Sequence, residues 1–401
     1  MTLLAELDLP VLDYTDPELR GSRFHERMTA LREHGWLAAT PLGAVVLDRE
    51  GAELFLRSRS TTFPGRKLAE LFGIETGALA EELRRNILCI DGDDHRRLRN
   101  LVNPAFTPRA ADRWRPSMRR YLQGLWDAVA DDGRCEFVEA FAKPYPSMVI
   151  ATVMGAPLAD APRLHRWSNL IQKQFDPEAL MTQRDLIEQA VVEFYAYAGA
   201  LLEARRGDRG DDLVSTLLAA EADGDRLSDV ECVNLVLNVL IGGVDTTQSQ
   251  LAHTIRLLAE HPDQWAALRA HPELAAGAAE EALRLEPITP FTARIVLEDL
   301  EVRGVTFPAG TVVLVASVVA NRDGVADPDR FDIARTDRGR LTTFGAGIHY
   351  CLGANLARAE LEEALRFLAA HAERLELDGE PAFAGVMGIY GLDALPVRFA
   401  A

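Results

Sequence analysis

Ten residues, Phe344-Gly345-Ala346-Gly347-Ile348-His349-Tyr350-Cys351-Leu352-Gly353, restrict what this 401-residue chain can fold into more than any other stretch. Gly345 and Gly347 before the cysteine and Gly353 after it let the backbone turn tightly and come close to something flat. A helical pattern follows from about Leu352, with Leu361, Leu365 and Leu368 at i, i+4 and i+7. Cys351 is therefore expected at a helix N-terminus, where unpaired N–H groups and the helix dipole favour a thiolate over a thiol. A lone cysteine is as a rule a small buried hydrophobe. A thiolate held on a glycine-rich loop is also what an axial iron ligand needs, since it must push electron density at the metal.

A second long element frames the first. Ser228 with Glu231 three residues on fits a capping box, and the apolar pattern behind it runs to about Glu260, where His261-Pro262 ends it. The spacing predicts one helix of roughly 33 residues, about 50 Å long. In its middle stands Gly242-Gly243-Val244-Asp245-Thr246-Thr247. Two glycines inside a helix cost on the order of 1 kcal/mol each against alanine. Close packing of two helices would account for them, and so would a flat ligand and small gas molecules approaching the backbone. The acid–hydroxyl pair directly after them favours the second reading. Asn238 and Ile241, one to two turns earlier, are candidate substrate contacts together with Gly242; for Asn238 a helix-packing role fits equally well.

The remaining markers are shorter. Asp91-Gly92-Asp93-Asp94 precedes a helix on which His95 and Arg99 share a face at i, i+4; from the residues alone this is a solvated basic face. Glu281 and Arg284 form an i, i+3 pair of the kind common on helices. Residues 36–47 alternate around Pro41-Leu42-Gly43 as a hairpin, and 295–302, 305–307 and 311–315 read as strands joined by glycine and proline turns. Residues 64–86 read as a connection with partial helix, and 159–206 as two or more amphipathic helices broken near Phe175-Asp176-Pro177. Met387-Gly388-Ile389-Tyr390-Gly391 fits a turn over a pocket and an ordinary hairpin equally.

Composition excludes several classes. With 48% hydrophobic residues and no linker, repeat or low-complexity tract, one large helical domain over 1–401 is expected. The acidic N-terminus carries no signal-peptide pattern, and no apolar run reaches the roughly 18 residues of a membrane helix. Cys89, Cys135, Cys232 and Cys351 show neither metal-knuckle spacing nor a disulfide framework. A cytoplasmic protein is expected, and the net charge of −18 argues against nucleic acid or an anionic membrane as partner. Within this acidic chain, Arg96 to Arg120 holds eight arginines and one acid, Asp112. That inversion fits a generally charged surface or, better, a docking patch for an acidic redox partner.

The decapeptide resembles the haem-binding loop of the cytochrome P-450 family: Phe344, Gly347, Cys351 and Gly353 stand at that family's spacing, and His349, Ala357, Arg358 and Glu360 match its bacterial form. The resemblance extends from about residue 35 to 395, through His95-x-x-x-Arg99 with Phe106-Thr107-Pro108-Arg109, the Gly242–Thr247 run, Glu281-x-x-Arg284, and Pro328-Asp329-Arg330-Phe331. It implies a mainly α fold with small β-sheets, with haem b between the long central helix and the helix of the cysteine loop. It implies that Cys351 is the axial ligand within a loop including Phe344, His349 and Gly353, and that His95, Arg99 and Arg294 hold the haem propionates. Thr246 would hydrogen-bond dioxygen and Asp245 would feed protons. Glu281, Arg284 and Arg330 would brace the cysteine loop, residues 159–206 would form a lid, and Pro290, Phe291, Thr292 and Ile389 would line the pocket. The implied activity is a haem-thiolate monooxygenase acting with O2 on a small or mid-sized, largely apolar molecule, with electrons from a ferredoxin and its NAD(P)H-dependent reductase. A peroxide-driven enzyme and a non-catalytic haem-binding relative are the alternatives, and Asp245-Thr246 weighs against both. Hydroxylation, epoxidation, demethylation and ring coupling stay open, because fold resemblance does not fix a substrate.

Overall fold

The structure is a computed structural model that describes residues 2–222 and 225–400. The helices Arg115–Asp127, Pro144–Met154, Ala161–Gln172, Arg184–Gly207, Asp229–Gly243, Asp245–Glu260, Ala275–Leu285 and Ala354–His371 meet around one apolar cluster. The central helix begins as its sequence predicts. The Ser228 N–H donates to Glu231 Oε2 (2.8 Å) and the Glu231 N–H donates to Ser228 Oγ (3.3 Å). It is not continuous, however. It bends at Val244 (φ −92°, ψ −73°), where the Thr246 hydroxyl takes the Gly242 carbonyl at 2.5 Å. A hydroxyl competing for the i−4 carbonyl is a known cause of such a bend.

The two glycines beside the bend have different reasons. A Cβ on Gly243 would lie 2.4 Å from Ile150 Cδ1, so this position permits close packing of the Pro144–Met154 helix. A Cβ on Gly242 would meet nothing within 4 Å. The close-packing reading thus holds for Gly243, whereas Gly242 faces open space. Among the described residues, 229–260 is the one helix long and apolar enough to cross a membrane, and it runs through the core.

The largest sheet has five strands in the order Leu37–Thr40, Gly43–Val46, Val312–Ala316, Phe291–Val296, Thr61–Thr62. The expected hairpin pairs Leu37 with Val46. A Cβ at Gly43 would strike the Val312 carbonyl at 2.0 Å, so only glycine lets that strand lie parallel to Val312–Ala316. The strand expected over 295–302 begins earlier, at Phe291, and breaks after Val296 before resuming at Leu300–Val302. The break occurs where the Leu297 N–H turns to the Ser60 carbonyl and Asp299 accepts from the Ala309 N–H.

Residues 159–206 divide as their sequence suggests: Asp176 Oδ1 accepts from the Glu178 N–H (2.9 Å) and caps a short helix, Pro177–Thr182, before Arg184–Gly207. Beneath it, the helix Ala78–Arg85 carries Glu82, fully buried. Asn86 Nδ2 donates to Glu82 Oε1 (2.7 Å), while Oε2 has no partner. Burial pushes this carboxyl from the ordinary 4.5 up to about 7. The folded state therefore keeps a proton that the unfolded chain has lost, and stability present below pH 4.5 is lost as pH rises through about 7. Glu82→Gln is expected to change thermal stability little at pH 5 and to raise it by about 3 kcal/mol at pH 8.5. Calorimetric unfolding at the two pH values checks this, and an equal shift at both would refute it.

Candidate active site

The cysteine loop closes on its own backbone. The Cys351 N–H donates to the Phe344 carbonyl (2.9 Å) and the Gly345 N–H to the Thr342 carbonyl (2.8 Å). Gly345 and Gly347 sit at φ +69° and +70°, a region that favours glycine, and a Cβ on Gly347 would press on the Leu56 carbonyl at 2.8 Å. The helix starts at Ala354, with Gly353 as its cap, two residues later than the leucine pattern suggested. N–H groups of Gly353 and Ala354 still reach the sulfur. Burial nevertheless outweighs them and the nearby Arg99 and Arg358, so the net effect raises the Cys351 thiol above its ordinary pKa. The expected thiolate is therefore not a gift of the helix terminus; it needs a cation at the sulfur, and binding that cation releases a proton. Beside it, the Arg358 guanidinium covers the Phe344 ring at 4.5 Å and donates to Glu280 at 2.5 Å.

Basic groups from three segments gather next to this loop. His95 is buried with its ring 4.7 Å from that of His349, whose Nε2 pairs with Asp91 Oδ1 at 2.8 Å. The Arg99 guanidinium donates to the Tyr350 carbonyl (2.8 Å). Arg294 is 3% exposed, and among the described residues its guanidinium donates only to the carbonyl of Ala293, at 2.9 Å. Among the described residues neither Arg99 nor Arg294 pairs with a carboxylate. Burial lowers Arg294 to about 10, and burial with the charges of His349 and Arg99 lowers His95 to about 4. A buried guanidinium without an anion is costly, so Arg294, with half-buried Arg99 held against the cysteine loop, fits a group that brings carboxylates of its own.

On the other side, Asn238, Gly242 and Thr246 follow one another at i, i+4, i+8 on the open face of the central helix. Asp245 is buried. Ser168 donates to its Oδ2 at 2.5 Å, Oδ1 has no partner, and His165 stands near enough to influence it. Burial pushes the Asp245 carboxyl up. His165 is only half-buried and shares its Nε2 with Gln248 Oε1 (2.9 Å). Ser168 and His165 escaped the sequence reading: they lie on the helix Ala161–Gln172, and no spacing rule links them to residue 245.

Four expectations need correction. Ile241 is packed into the main core instead of facing the pocket. Phe291 points the other way from Arg294, because successive strand residues alternate; its ring joins a second core with Phe24 (centroids 5.9 Å apart) and Tyr390. Thr292, on the Arg294 face, is half-buried, whereas Pro290 is buried with its carbonyl bonded to the Ser317 N–H. Glu281 is braced by Arg284 (2.9 Å), Arg335 (2.9 Å) and Arg338 (3.3 Å), not by the side chain of Arg330, which is 64% exposed. Arg330 contributes its carbonyl, which accepts from Arg284 and Arg335. Finally, the arginine-rich segment is largely neutralised from within. Arg97 pairs with Glu231, Arg113 with Asp211 (2.6 Å), Arg115 with Asp112, Glu362 and Glu363, and Arg119 with Glu363 (2.6 Å). Ile389, half-buried, stands in the loop of a hairpin formed by Ala382–Phe383 and Leu392–Ala394.

Comparison with known proteins agrees with this architecture. Luteothin monooxygenase of Streptomyces thioluteus is 38% identical over 400 residues, covering 98% of this chain and 97% of that protein. Mycinamicin IV hydroxylase/epoxidase of Micromonospora griseorubida is 39% identical over 293 residues, 72% of each. The crystal structure of CalO2 superposes with a TM-score of 0.90 at 31% identity, covering 98% of this chain and 99% of that one. Residues 44–368 match the family model for cytochrome P-450, and with a fold, a cysteine loop and two guanidiniums without carboxylate partners that fit a thiolate-ligated haem, the chain belongs to the cytochrome P-450 family.

Proposed function

We propose that this haem-thiolate monooxygenase oxidises a small or mid-sized, largely apolar natural product in the cytoplasm, acting as one domain over residues 1–401 and taking electrons singly from a ferredoxin and its NAD(P)H-dependent reductase. The observation that carries the reading is a pair of guanidiniums, buried Arg294 and half-buried Arg99, with no carboxylate partner among the described residues, together with buried His95 and the Cys351 loop. The relatives named above carry monooxygenase and hydroxylase/epoxidase names, and no dinucleotide-binding fingerprint occurs within these 401 residues.

Haem, when bound, supplies the activation of O2 and its insertion into the substrate. The chain's residues supply position and protons. Arg99, Arg294 and His95 would meet the propionates and exchange an unpaired burial for charge-assisted hydrogen bonds. Phe344, His349 and Gly353 would shape the loop that presents Cys351. Thr246 gives its hydroxyl proton to the Gly242 carbonyl, which leaves the lone pairs of Oγ1 turned to the pocket as acceptors. Asp245, a carboxyl that burial makes more basic than usual, would pass protons inward, fixed in place by Ser168 and supplied through half-buried His165.

Thr246→Ala tests this assignment. It removes the hydroxyl that positions protons on the open face, so the share of electrons ending in product should fall by roughly ten-fold or more while peroxide rises. Product and peroxide measured against NAD(P)H consumed, with ferredoxin and reductase present, give the answer. Unchanged coupling would take Thr246 out of the mechanism.

A further inference from the structure

One turn and more before Thr246, the open face of the central helix carries an amide oxygen, Asn238 Oδ1, that no donor among the described residues uses. Between Cys232 and Asp245 this helix is buried except at Asn238, Gly242 and Gly243, so Asn238 is the polar side chain that this stretch presents on its open face. Asn238 Nδ2 donates to the backbone carbonyl of Asn234 (2.7 Å) and to Asn234 Oδ1 (3.0 Å). The backbone carbonyl decides which end of the amide is which, since the reverse orientation would set two acceptor oxygens against each other. Asn234 Oδ1 is thereby turned to Asn238, and its own Nδ2 donates to the hydroxyl of Tyr195 on the Arg184–Gly207 helix (2.9 Å). Both N–H bonds of Asn238 are spent inside this chain of contacts. Its Oδ1 has no donor among the described residues.

Resting on the haem-thiolate reading, we propose that the substrate is an elongated molecule carrying one hydrogen-bond donor, a hydroxyl or N–H, which Asn238 Oδ1 accepts. Asn238 and Thr246 are eight residues apart, so the donor lies about 12 Å along the helix from the end of the molecule that reacts at the level of Thr246. An ether or ester at that point sets oxygen against oxygen, and an alkane leaves Oδ1 without water or partner. A site built to pair one donor rejects analogues lacking it far more strongly than an apolar pocket rejects a missing methylene. The anchoring of Asn234 by Tyr195 makes the preference a property of the Arg184–Gly207 helix as well as of the central one.

Optical titration of the haem-loaded protein with 1-decanol, decyl methyl ether and undecane tests the proposal, reading binding from the spin-state change with no turnover. The alcohol is expected to bind about ten-fold more tightly than the ether, and Asn238→Leu is expected to bring that ratio to about one. An alcohol that binds no better than the ether in the wild-type protein, absence of any shift included, overturns the proposal. So does a preference that survives Asn238→Leu. The ferrous carbonyl spectrum of the same preparations separates the two levels of inference. Loss of its red-shifted band removes the haem-thiolate reading, whereas a normal band without alcohol preference removes only the donor requirement.

Discussion

Glu281→Gln is expected to destabilise the protein by about 3–5 kcal/mol, enough to leave little folded chain able to take up haem. The Glu281 and Arg284 side chains are 0% exposed and joined by two bonds of 2.9 Å. Arg335 and Arg338 reach the same carboxylate at 2.9 and 3.3 Å, and the Asp332 N–H adds a further bond at 3.2 Å. Burial pushes the Glu281 carboxyl up, but the bonds and charges of Arg284 and Arg335 outweigh it and hold the group below its ordinary value. Its contribution is therefore present at neutral pH and lost as pH falls through that lowered pKa. A neutral amide keeps the shape and deletes the one charge that three guanidiniums share. Arg284 in turn ties the Ala275–Leu285 helix to the carbonyls of Pro328 and Arg330, so the loss spreads into the segment leading to the cysteine loop. Arg330→Ala, which touches only an exposed side chain, should stay within about 0.5 kcal/mol of the parent. Urea unfolding followed by circular dichroism ranks the variants. A larger loss for Arg330→Ala than for Arg335→Ala would restore the original assignment.

That contrast shows where the sequence was legible. Features that follow from short-range geometry were readable: the Ser228–Glu231 cap and the Gly-rich turn before Cys351; the His95 and Arg99 pair, read from its residues as a solvated face, instead has His95 buried. Arg330 and Arg335 lie five apart in an irregular segment, where spacing says nothing about which side chain turns inward. Phe291 and Thr292 could be assigned to opposite faces only once the strand was seen to begin at Phe291. The charge of the 96–120 segment was read correctly and its environment was not, because Glu231, Glu362 and Glu363, which neutralise it, are brought in from distant helices. Ser168 meeting Asp245 across 77 positions is the same kind of fact: tertiary contact between two amphipathic helices, invisible to any periodicity.

Replacing Cys351 with alanine should abolish oxygenation and remove the red shift of the ferrous carbonyl band, yet leave the polypeptide folded. The loop around the cysteine is closed by backbone bonds from Cys351 to Phe344 and from Gly345 to Thr342, none of which uses the sulfur. Stability of the haem-free chain should therefore change by no more than about 1 kcal/mol. The sulfur itself is held as a thiol in the protein alone, because burial raises its pKa more than the Gly353 and Ala354 N–H groups and Arg99 lower it. It follows that loading the wild-type chain with haem at neutral pH expels a proton from residue 351, and that the alanine variant, if it takes up haem through His95, Arg99 and Arg294, expels none from that position. Calorimetric titration in two buffers of different ionisation heat measures the difference directly. One proton fewer in the variant is the expected result; identical proton release in the two proteins would mean that the sulfur is not the ligand, whatever the fold around it resembles.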